Sequence, residues 1–245
     1  MPRARLRKVW IAVALAFVAL AAIALLAREK EPVPVAPIGL FTTLPILWAD
    51  HPELAASLDP EAEAHWARAV ISERGAIEPL DLLYGAQLAK LRRLILAQPR
   101  VLTPQENVAL DDWVRGGGRL LLLADPALTE ESTFPLGDPR RPQAAALLSP
   151  ILTRWGLELL FDDSQAQGRG EREVMGVPVP VNLPGQLATR GQDNCRLWSE
   201  GLAATCAIGA GRVVVIADAA LLDREEASAG RKALSWLLDA AFAAR

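Results

Sequence analysis

Five polar side chains in this sequence have the type and spacing to meet at one place. Asp125 closes the apolar run Leu120–Ala124, and Asp218 closes a second such run, Arg212–Ala217. If the two runs are neighbouring parallel strands, both carboxylates emerge at the same sheet edge, where the loops of open α/β folds gather their ligands. Between them, Pro126–Pro142 is a 17-residue stretch with no evident element, and it carries Asp138, Arg140 and Arg141 in GDPRRP. Loops longer than about 12 residues are usually functional or disordered. Two arginines can hold a carboxylate or phosphate on a partner, with Asp125 and Asp218 orienting them. The alternative is that the arginines pair with those aspartates and pin the loop.

Other chemistry is poorly provided for. His51 and His65 are the two histidines, and neither has a cysteine near it, so no zinc-type spacing exists and neither metal nor cofactor is expected. There is no G-x-S-x-G elbow and no G-x-x-x-x-G-K-[ST] loop. Gly209-Ala210-Gly211 precedes a strand instead of following one, which fits a turn better than a dinucleotide fingerprint. Cys195 and Cys206 flank RLWSEGLAAT, which has the pattern of a hairpin. A two-residue turn at Glu200-Gly201 would set the cysteines directly opposite one another, on a hydrogen-bonded pair about 5.5 Å apart. A structural disulfide is the first expectation, with two reduced core thiols or a redox pair as alternatives.

The elements that must position these residues alternate. Thr103 is an N-cap, Pro104 suits the first helical turn, and Glu106 completes a capping box. Leu110, Trp113 and Val114 then share a face until Gly116-Gly117-Gly118 stops the helix and the buried strand at Leu120 begins. Before it come a strand at 38–41, a helix opened by Asp59-Pro60-Glu61 and stopped by Gly75, and strands at 76–80 and 91–97. After it come a helix over 143–155 that Pro150 kinks or divides, strands at 157–161 and 177–181, the strand at Arg212, and a closing amphipathic helix over 231–242. The segment 162–190 otherwise defies assignment. Such alternation implies a mainly parallel sheet with right-handed crossovers.

The composition, half apolar with 22% charged residues, belongs to a folded chain of 245 residues. The formal charge of −3 hides an asymmetry, because residues 31–245 hold 20 basic against 28 acidic side chains. That balance argues against nucleic acid as a partner. Residues 1–30 combine a basic head with the apolar run Val9–Ala27, whose 19 residues cover roughly 28 Å as a helix, close to a bilayer's hydrocarbon core. An uncleaved anchor with a cytoplasmic N-terminus is the expectation. A cleaved signal with Ala22-Ile23-Ala24 as its cleavage site is the alternative. Residues 31–37, EPVPVAP, would form an extended spacer, and 38–245 the extracytoplasmic, periplasmic domain.

The run LTPQENVALDDWVRGGGRLLLLADP, together with GAGRVVVIADAALL and a Leu-rich last helix, resembles the membrane-anchored ABC-type transport auxiliary domain of gliding-associated proteins. It is also similar to a related single-pass bacterial domain of unknown function. The similarity is close over 103–126 and 209–222 and loose elsewhere. Those domains are similar in architecture to class I glutamine amidotransferases, so the resemblance implies a flavodoxin-like open, mostly parallel sheet preceded by one transmembrane helix. It withholds the activity, since the Leu120 strand ends in Asp125-Pro126 where an amidotransferase would carry cysteine. The expected function is therefore non-enzymatic: a membrane-tethered extracytoplasmic domain that binds a ligand or partner, auxiliary to an ABC-type envelope transport or assembly system. Its implied partners are multispanning transporter subunits and a separate ATPase. The alternatives are a purely structural envelope protein and a degenerate hydrolase using acidic residues at the C-terminal sheet edge.

Overall fold

A computed structural model describes residues 36–48, 64–191 and 193–243. The segment assigned to the anchor, most of the spacer, His51 and the Asp59-Pro60-Glu61 helix start lie outside the described residues. Five parallel strands form the body of the sheet: β1 (Ile38–Thr42), β2 (Ile77–Pro79), β3 (Arg93–Ala97), β4 (Arg119–Leu123) and β11 (Gly211–Ile216). Two more, β9 (Cys195–Trp198) and β10 (Ala203–Ile208), are added as an antiparallel meander, giving the order β2-β1-β3-β4-β11-β10-β9. The sheet is thus mixed, parallel over five strands with an antiparallel pair added at one edge, which corrects the flavodoxin-like expectation. Strand β11 reaches β4 through the hairpins of this meander and not through a helical crossover.

The continuous apolar strands are covered on both faces. Leu121, Leu123, Val214 and Ile216 pack under helices α1 (Trp66–Ser72) and α5 (Ala227–Phe242). Leu120, Leu122, Val213 and Val215 face α3 (Pro104–Arg115) and α4 (Ser149–Arg154), with the single turn α2 (Gly85–Leu88) beside them. The α3 start is built as its sequence requires. Thr103 Oγ1 accepts from the Glu106 N–H at 3.2 Å, and Glu106 Oε2 accepts from the Thr103 N–H at 2.9 Å. Gly211 must be glycine for a local reason, since a Cβ there would stand 1.9 Å from the Val114 carbonyl oxygen at the end of α3.

Helix α4 is shorter than the expected 143–155 span. Pro150 lies in its first turn, where a missing N–H costs nothing, so the proline starts the helix instead of dividing it. Residues 126–148 remain irregular and fold back over the sheet edge. The unassigned stretch contains β6 (Arg169–Val174), β7 (Val177–Asn182) and β8 (Gln186–Thr189). β6 and β7 form a hairpin through Met175 and Gly176, both at positive φ (49° and 86°), the backbone a two-residue hairpin turn needs. β8 pairs with β5 (Leu157–Leu160) in a small separate sheet.

Cys206 lies opposite Cys195, and a disulfide joins them. Their Cα atoms are 4.0 Å apart, closer than the spacing of a hydrogen-bonded pair. The reason is local: Ser199 as well as Glu200 has positive φ (51° and 55°), so the alternation of hydrogen-bonded and non-hydrogen-bonded pairs moves by one residue while the register is kept. The narrow pair then moves outward, where the Ala207 N–H donates to the Asn194 carbonyl at 2.8 Å. Closing this short loop should contribute about 2–3 kcal/mol. Reduction is expected to lower the urea midpoint and to steepen the slope, because the unbridged unfolded chain exposes more surface.

Candidate functional site

The C-terminal edge of the parallel strands collects the acidic side chains. Asp125 and Asp218 are both fully buried. Asp125 Oδ1 accepts from the Ala127 N–H at 2.8 Å and its Oδ2 from the Ala219 N–H at 3.2 Å. Asp218 Oδ1 accepts from the next amide, Ala220, at 2.6 Å, and its Oδ2 from the Asn182 N–H at 2.9 Å. The two carboxylates therefore bind consecutive amides of one turn, and Asp218 ties the end of β7 to the sheet. Burial pushes the Asp125 carboxyl up to about 6, against the pull of its two amides. Burial, reinforced by the charge on Asp125, pushes Asp218 up to about 8.

Behind this pair stands a brace that the sequence did not announce. Gln98, at the exit of β3, is fully buried and adopts a positive φ of 44°. Its Oε1 accepts from the Asp125 N–H at 2.9 Å, while its Nε2 donates to the carbonyls of Asp125 (3.1 Å) and Gln143 (2.8 Å). Thr43, leaving β1, donates to the Gln98 carbonyl and accepts from the Gln143 N–H at 3.1 Å. The crevice between β1 and β3, where strand order reverses and ligands would usually enter, is thereby filled by the loop.

The loop arginines stay apart from the aspartates. Arg140 pairs with Asp138 (Nη2–Oδ2 2.7 Å) and stacks on the Phe134 ring, and Arg141 donates to the Phe134 carbonyl at 2.6 Å. The pairing with Asp125 and Asp218 expected of them does not occur, because the short Asp-x-Arg turn satisfies Arg140 locally. Arg140 holds the Asp138 carboxyl down at about 2. His65 serves as the N-cap of α1, its Nδ1 accepting from the Ala67 N–H at 3.2 Å, and burial lowers it to about 4, so it stays neutral.

A residue absent from the sequence-based set makes the open part of the site. Asp223 follows a short 3-10 turn (Ala220–Leu222), and its carbonyl is held by the Trp66 indole N–H at 3.2 Å. The residue is buried, 5% exposed, and its Oδ1 has no hydrogen-bond partner among the described residues. Burial raises this carboxyl to about 6, although the Arg169 charge opposes the rise. Asp223 lines a cleft of about 560 Å³ with Thr129, Glu131, Asn182, Arg169 and Glu225. Thr129 Oγ1 is likewise buried and unpartnered, while Arg169 pairs with Glu225 across the mouth. Among the described residues no cluster of His, Cys, Asp or Glu has the makings of a metal centre.

No protein-family model matches the chain, and no curated protein matches it significantly. Among solved structures it is similar to Gan42B, a GH42 β-galactosidase from G. stearothermophilus, at 12% identity and a TM-score of 0.50, over 84% of this chain and 30% of that one. The mmIFT52 N-terminal domain gives 12% identity and 0.49 over 70% of this chain and 88% of that one. The exo-β-1,4-mannosidase Op5Man5 from Opitutaceae bacterium strain TAV5 gives 16% and 0.48 over 94% and 40%. The chain thus spans less than half of either sugar hydrolase, and at these identities the likeness describes the fold alone.

These findings correct the resemblance drawn from the sequence. No family model or curated protein supports a transport auxiliary domain, and the structures named above are neither flavodoxins nor amidotransferases, so the ABC-auxiliary assignment is withdrawn. The transporter and ATPase partners rested on it and are withdrawn with it. The single-pass periplasmic topology and the membrane partnership rested on Val9–Ala27, which lies outside the described residues, and gain no support from the residues that are described. No helix among the described residues is long and apolar enough to cross a membrane.

Proposed function

We propose that the domain is a degenerate, hydrolase-like one that binds a neutral, hydroxyl-rich ligand of the saccharide class at its acidic C-terminal edge without turning it over. The observation that carries this reading is Asp223 Oδ1, buried and unpartnered at the cleft wall. An unpaired buried acceptor is costly unless something satisfies it, and a hydroxyl does so without adding charge. Thr129 and Asn182 offer further hydrogen-bonding groups, and the surplus of acids over Arg169 and Arg224 disfavours an anion. Turnover is not proposed, because Asp125 and Asp218, the pair with divergent acidities that acid–base chemistry would use, are sealed beneath backbone amides and out of a substrate's reach.

Calorimetric titration of the full chain with methyl β-galactoside tests this. Asp223→Ala and Thr129→Val should each weaken binding by about tenfold or more. Equal affinity for wild type and both variants would sink the binding assignment. Asp223-dependent release of nitrophenol from a nitrophenyl β-galactoside would instead make the protein an enzyme.

A further inference from the structure

At the opposite end of the sheet, beside the disulfide, a second cleft of about 270 Å³ opens on the face that α5 leaves uncovered. Its floor is Ala207 of β10, whose small side chain lies between Arg212 of β11 and the residue preceding β9, Asn194. Arg196, opposite Thr205 one row along, forms a further wall and stacks 3.9 Å from the Trp198 ring, and Asp193 beside Asn194 adds one carboxylate against the two guanidinium groups.

Two polar atoms here lack a partner among the described residues. Arg212 Nε and Asn194 Oδ1 are each buried and without a hydrogen-bond partner. Neither Arg196 nor Arg212 has an ion pair among the described residues. An orphaned guanidinium N–H asks for an acceptor, and an orphaned amide oxygen asks for a donor. Both are met at once by a small molecule that carries a carboxylate and, on the adjacent carbon, a hydroxyl or ammonium group. Guanidinium groups suit the carboxylate because their planar fork matches its two oxygens. The disulfide beside the cleft fixes the separation of β9 and β10 and hence of the two walls.

We propose that this cleft is a binding site for a small α-hydroxy or α-amino carboxylate, gripped by Arg212 and Arg196 through its carboxylate and by Asn194 through its hydroxyl or ammonium group. It is independent of the cleft at Asp223. The test uses the oxidised full chain, with L-lactate as the probe and acetate as its hydroxyl-free control, read at the Arg212 Nε–H signal by NMR. Lactate should shift that signal saturably, and acetate should bind at least about tenfold more weakly, the loss of one hydrogen bond to a buried acceptor. Ala207→Leu fills the floor and should abolish the response while leaving the melting temperature near that of wild type. Arg196→Gln, read at the same signal, should weaken lactate comparably. No saturable shift with lactate, equal affinity for acetate, or undiminished binding by a folded Ala207→Leu protein would each overturn the proposal.

Discussion

Replacing Asp111 with alanine is expected to destabilise the domain by about 2–3 kcal/mol, chiefly the cost of leaving a buried indole N–H unpaired, since Arg115 and Arg154 are half-exposed and can return to water. Asp111 is fully buried on the inner face of α3 and accepts from Arg115 Nε (2.9 and 3.0 Å), from Arg154 of α4, and from the Trp155 indole N–H at 3.0 Å. Burial alone would raise its pKa, but the three donors outweigh it and the carboxyl sits below its usual range. Alanine would strand the Trp155 N–H in a fully buried position and release the pairing that holds α4 against α3. Asparagine can still accept from the indole, so Asp111→Asn should cost clearly less than Asp111→Ala. Urea denaturation of the two variants checks the order, and equal losses would contradict the indole's part in it.

Asp218→Asn should have an effect whose sign depends on pH. Asp218 is raised to about 8 and Asp125 to about 6, above the 3.8 of an unperturbed aspartate. Folding therefore takes up protons, and the associated stability is fully present below about pH 4. It is lost as pH rises through about 6 and then about 8, where a second negative charge must be held beside the first. Asparagine removes that charge but cannot accept from both the Ala220 and the Asn182 amides. At about pH 5 the variant should be less stable than wild type by about 1 kcal/mol, one hydrogen bond. Near pH 9 it should be more stable by roughly 2 kcal/mol, a conservative fraction of the linkage. Melting curves that stay parallel across this range would mean that Asp218 is ionised throughout.

What the sequence made legible was what local chemistry specifies. The Thr103-Pro104-Glu106 start, the glycine stop of α3 and the double-faced apolar runs at Leu120 and Arg212 each carry their own signal. So does the cysteine register, because a symmetric count about one turn defines it. Longer-range competition was not legible. Ser199 taking a left-handed backbone changed the class of the cysteine pair without changing its register, and Pro150 had two permitted roles until Leu148 became the cap. Asp125 and Asp218 were found because each ends a buried strand. Asp223 was missed because it follows a 3-10 turn and has no strand to announce it, and Gln98 because a glutamine after a strand resembles any loop residue. The interest of Arg140 and Arg141 came from their charge, yet an aspartate two residues away was enough to occupy the first of them.

The binding assignment is tested most directly by following the Asp223 carboxyl carbon by NMR across pH, with and without saturating methyl β-galactoside. In the free protein its midpoint should lie near 6. A ligand hydroxyl donating to Oδ1 favours the charged form, so the saccharide should move that midpoint downward while leaving Asp218, sealed under its own amides, unchanged. A midpoint for Asp223 that stays put at saturation, or a change confined to Asp125 and Asp218, would contradict the placement of the ligand.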